Sequence, residues 1–112
     1  MRRAPEPCPD VDRLDGLLRR FRAEEAGTTQ LLHELQEELE FWQREANFLR
    51  GSAPTTASRV LDRCKELQIE CDLLATELVH VRMAITGTDE ELADRRVRGN
   101  RFAGAFGERL PA

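Results

Sequence analysis

Apolar residues along this chain recur at alternating steps of four and three. Thr28, Leu32, Leu35, Leu39, Trp42, Ala46 and Leu49 keep that rhythm, and Leu14, Leu18, Phe21 and Glu25 carry it back toward the start. Heptad spacing of this kind holds one face of an α-helix against a partner helix. A second series has the same spacing: Val60, Cys64, Leu67, Cys71, Leu74, Leu78, Val81 and Ile85. The two series predict an all-α fold, a long antiparallel two-helix coiled-coil hairpin.

The polar and turn residues between the series set the expected boundaries. Residues 1–9 hold three of the five prolines and are expected to form a flexible tail. Asp10 or Asp12 is placed to cap a helix running from about 11 to 50. Gly27 falls inside it, but the register is unbroken across that glycine, so one helix is favoured over two split there. Gly51 is expected to end the helix in the left-handed conformation, followed by Ser52-Ala53-Pro54 as further stop signals. Thr55, Thr56 or Ser58 would cap the second helix, ending at Gly87.

So short a connection makes the helices antiparallel neighbours. Paired seam positions should then have numbers that sum to about 106, given a loop centred near Ala53. This sets Trp42 opposite Cys64, Leu39 opposite Leu67, Leu35 opposite Cys71, Leu32 opposite Leu74, Thr28 opposite Leu78 and Phe21 opposite Ile85. Thr88-Asp89-Glu90-Glu91 has the form of a capping box and predicts a short third helix over about 89–98, stopping near Gly99-Asn100. The expected organisation is a tail (1–9), a helical hairpin (10–87), and a short helix with an irregular tail (88–112).

A further stripe alters the picture. Ile69, Leu73, Thr76, His80 and Met83 also step by four and three on the side of the second helix away from its seam. Phe41 and Phe48, one heptad apart, do the same for the first helix. A solvent-facing side should be polar, so both helices are expected to pack on two sides. Either another chain, in a helical bundle with a dimer favoured, or residues 89–106 folded back would cover these positions.

Composition fits a helical assembly and suggests little chemistry. The 112 residues allow one domain; charged residues make up 34%, hydrophobic residues 40% and aromatics 5%. A net charge of −4 gives no general reason to expect nucleic acid. No apolar run approaches the roughly 20 residues that span a bilayer. Met1-Arg2-Arg3 and the prolines after it lack the apolar core of a secretory signal, so a cytoplasmic address is expected. Cys64 and Cys71 lie two turns apart, about 10 Å along one helix, beyond the roughly 7 Å a disulfide allows. With Cys8 they are expected to be reduced thiols.

Glu77-Leu78-Val79-His80 matches the Glu-x-x-His element of di-iron bundles, but Leu78, rather than Glu77 or His80, lies on the seam. His33 has Gln30 where such an element needs an acid. No Cys-x-x-Cys pair, phosphate loop or nucleophile motif is present, so neither a catalytic residue, a cofactor nor a metal is expected. Arg95, Arg96, Arg98 and Arg101, followed by Phe102 and Phe106, form the one candidate polyanion contact. Asp89, Glu90, Glu91 and Asp94 directly upstream favour a solvated helix end instead.

The expected role is that of a non-enzymatic structural or scaffold protein, acting by self-association or with another coiled-coil protein. A regulatory adaptor using the Arg-rich segment is the first alternative, and a helical-bundle metalloprotein the second.

Overall fold

The computed structural model describes residues 9–109, and the side chains of residues 10–99. It contains two helices, α1 (Pro9–Leu49) and α2 (Pro54–Arg109), and among the described residues no strand. The fold is an all-α two-helix hairpin. Compact packing divides it into two units: one comprises Glu24–Val81, the other Met1–Ala23 with Arg82–Ala112.

Unit Glu24–Val81 contains the turn. The Ser52 and Ala53 N–H groups both donate to the Leu49 carbonyl, at 3.2 and 2.8 Å, and the Ala57 N–H donates to the Ala53 carbonyl at 2.9 Å. Gly51 does not enter the left-handed region, because no described glycine has a positive φ. The expected glycine stop is therefore replaced by a turn closed on Leu49. Nor do Thr55, Thr56 or Ser58 cap α2. Pro54 occupies its first position, where a missing N–H costs nothing and the fixed φ already suits a helix. Likewise α1 begins at Pro9, which puts Asp10 and Asp12 inside its first turn, near the positive end of the helix, rather than at the cap.

The core of this unit is Leu39, Cys64 and Leu67, with Leu35, Trp42 and Val60 packed against it. Leu67 is fully buried, at 0% exposure. Leu39 shares the cluster with Leu67, and Trp42 with Cys64, so later residues of α1 meet earlier ones of α2. Ala46 and Ala57 are buried nearer the turn, where small side chains let the helices approach. Arg63 and Glu38 join the helices across one edge at 3.6 Å.

In the other unit, Leu14, Leu18 and Leu92 form the buried cluster, with Val11 and Ile85 against it. Arg22 meets Asp89 at 3.6 Å, and Arg95 meets Asp10 at 2.7 Å. Here the structure departs most from expectation. α2 does not stop at Gly87, and no separate helix or irregular tail begins at residue 88: one helix runs on to Arg109. The Thr88 hydroxyl is not a cap but donates back to the Ala84 carbonyl at 2.7 Å, as Thr86 does to Arg82 at 3.0 Å. The reason lies in the register. Ile85, Thr88, Leu92 and Arg95 continue the three-four spacing and are buried or half-buried. The seam that this spacing builds, Leu92 above all, outweighs the cost of one glycine, about 1 kcal/mol.

α1 likewise passes through Gly27 without a break. A Cβ built on Gly27 or on Gly87 meets nothing within 4 Å. Gly27→Ala and Gly87→Ala should therefore each stabilise the chain by about 1 kcal/mol, through backbone entropy alone. Thermal melts of the two variants check this; a destabilised Gly87→Ala would contradict an uninterrupted α2.

Candidate functional site

The seam residues occupy the inner faces of the helices. Leu39, Cys64, Leu67, Cys71 and Leu78 are buried, and Leu32, Leu35, Trp42 and Leu74 are half-buried. The indole N–H of Trp42 donates to Glu38 Oε1 at 3.4 Å, which places the polar edge of the ring at the rim of the seam. The ring of Phe41 packs edge-on to that indole, with centroids 5.0 Å apart.

Cys64 and Cys71 are both buried and free. Burial first, then the charges of Asp72 and Glu70, push the Cys71 thiol up from its ordinary value. Native protein should therefore resist thiol alkylation at both positions, while unfolded protein is labelled readily; mass analysis of the two peptides measures each site separately. The sign for stability follows. The folded state holds its Cys71 proton more tightly, so once the pH rises past the ordinary thiol range the unfolded state releases that proton first, and stability declines.

The residues of the expected assembly interface are uncovered. On α2, Ile69 is 61% and Leu73 66% exposed, and His80 and Met83 are also exposed; on α1, Phe41 is exposed and Phe48 is 79% exposed. Residues 89–106 do not fold back over the stripe, because they belong to the same helix. Leu31 and Val79 add to the exposed apolar surface, a signal that lay outside the strict three-four count.

The arginine cluster is divided. Arg98 pairs with Asp94 at 3.0 Å and Arg96 is exposed, while the side chains of Arg101, Phe102 and Phe106 lie outside the described residues. Arg95 differs from the others. It takes a seam position, with Asp10 of α1 at 2.7 Å and Glu91 of α2 at 3.2 Å. The Glu91 hydrogen bond foremost, supported by the charge of Asp10, pushes its guanidinium up, so Arg95 stays a cation. Its Nε is buried without a partner among the described residues. A charged residue in a seam lowers stability and fixes register. The sequence signal was the continuing rhythm after Ile85, which an arginine obscures.

Glu77 and His80 are exposed on α2. Among the described residues, no group of three or more His, Cys, Asp or Glu side chains could hold a metal ion. A shallow depression beside the seam is walled by Gln36, Gln43, Gln68 and Asp72. No described helix is long and apolar enough to cross a membrane. Compared with protein-family models, curated proteins and solved structures, the chain matches none.

Proposed function

We propose that this chain is a non-enzymatic coiled-coil structural or scaffold protein that acts by self-association into a helical bundle, with a dimer as its basic form. The observation that carries this reading is the exposure of Ile69 and Leu73 on α2, together with Phe41 and Phe48 on α1, in the unit formed by residues 24–81. Long helices that leave apolar residues at heptad intervals on a second face are suited to receive further helices. A partner with its own heptads could take the same place, so a second coiled-coil protein is the nearest variant. A reducing, cytoplasmic setting agrees with free thiols at Cys64 and Cys71. The adaptor reading is weaker, because Arg95 and Arg98 already face carboxylates.

Light scattering over a concentration series tests the reading. The expected mass is twice the 12.8 kDa of one chain. Leu73→Glu would put an unpaired charge into the covered face, raising the dissociation constant on the order of a hundredfold or more while helicity is retained. A single-chain mass for the unaltered protein at every concentration rules self-association out.

A further inference from the structure

Charge is distributed unequally between the two units. Residues 24–81 carry twelve of the acids and five of the bases, a net −7. Among the described side chains of the other unit, residues 10–23 and 82–99, there are seven acids and eight bases, a net +1. Pairing within the chain leaves part of each excess available. In the basic unit, Arg13, Arg20 and Arg96 are exposed and form no ion pair among the described residues, and Arg13 and Arg20 stand one heptad apart on α1. In the acidic unit, the carboxylates of Glu34, Glu40, Glu45 and Glu77 likewise form no ion pair among the described residues. Glu34 shares its heptad row on α1 with the exposed Phe41 and Phe48.

This restricts how copies can meet. Matching the acidic unit of one copy to that of another would bury Ile69, Leu73 and the phenylalanines, but it would set −7 against −7. Like charges brought together across an interface oppose association and suppress that arrangement. The apolar positions and the charges are satisfied together only when the basic unit comes from the second copy. That unit has exposed apolar residues of its own, Met83 and Val97.

Resting on the self-association reading, we propose that the basic unit of each copy docks on the acidic unit of a second copy, reciprocally. Arg13, Arg20 and Arg96 then face the glutamates that flank Phe41 and Leu73. The occupant of the exposed apolar face is thus another copy of this chain, set in a staggered pairing.

The test is sedimentation of the full chain at low and high salt, with two charge-reversed variants. R13E/R20E and E34K/E77K alter exposed side chains only, and circular dichroism confirms that each remains helical. The unaltered chain should dimerise at low salt, with a dissociation constant that rises at least on the order of tenfold as screening shortens the reach of its charges. Each variant alone should be monomeric, and an equimolar mixture should recover the dimer, because one of its two contacts is then native and the other is reversed on both sides, so both are complementary. The neutral pair R13Q/R20Q should weaken the dimer without abolishing helicity. A dimer indifferent to salt and to both reversals would overturn the charge-directed docking and leave self-association standing. A monomer under all conditions would overturn both.

Discussion

Leu67→Ala should destabilise the folded chain by about 2–5 kcal/mol, the cost of deleting a buried leucine side chain from a site that cannot close around the gap. Leu67 is the most fully buried large residue described, enclosed by Leu39, Cys64, Leu35, Trp42 and Val60. Leu39→Ala should fall in the same range. Because the two leucines share one cluster, the double variant should depart from the sum of the singles by about 0.5 kcal/mol or more. Urea unfolding at one fixed protein concentration measures all three, since association would otherwise shift the midpoints. Strict additivity would mean that these leucines do not touch, and the antiparallel pairing would need another register.

Gly87→Pro should cost about 3 kcal/mol or more, the second large effect expected. In an uninterrupted α2, a proline at this position removes the N–H that bonds the Met83 carbonyl, and its ring collides with that carbonyl. Loss of helicity and faster amide exchange over 88–99 are the expected readouts. A helix that ended at Gly87 would accept the proline at little cost. Thr88→Ala discriminates independently. A capping threonine is worth about 1 kcal/mol, whereas one whose hydroxyl only turns back to Ala84 should be replaced by alanine with no loss.

The two glycines show how much of the fold could be read from the sequence, and where the reading failed. At Gly27 the unbroken register argued for a continuous helix, and α1 is continuous. At Gly87 the same argument was available through Ile85, Thr88 and Leu92, but Thr-x-x-Glu after a glycine is also how a new helix begins. Capping chemistry is local and ambiguous: the same hydroxyl can bond forward to a free N–H or backward to a carbonyl, and packing decides which. Gly51 failed for a related reason, since a proline fixed at the start of α2 allowed the turn to close on Leu49 without a positive φ. Arg95 was read as part of a surface cluster because an apolar alphabet has no place for a guanidinium in a seam. Its two carboxylate partners come from different helices, and no spacing rule brings Asp10 to Arg95. The inner faces were visible as periodicity.

The seam also constrains how a chain of this kind can change its length. The three-four rhythm runs from Leu14 to Leu49 in α1 and from Val60 to Arg95 in α2, and four residues join the helices. Inserting one residue in either helix would rotate everything beyond it by about 100° and carry the leucines off the seam. A seven-residue insertion restores the facing within its own helix, yet slides every later pair past its partner unless the other helix gains the same seven. Tolerated length variants should therefore come as matched heptads, one in each helix at paired positions, while the exposed side chain of Ser52 can vary so long as its N–H still reaches the Leu49 carbonyl.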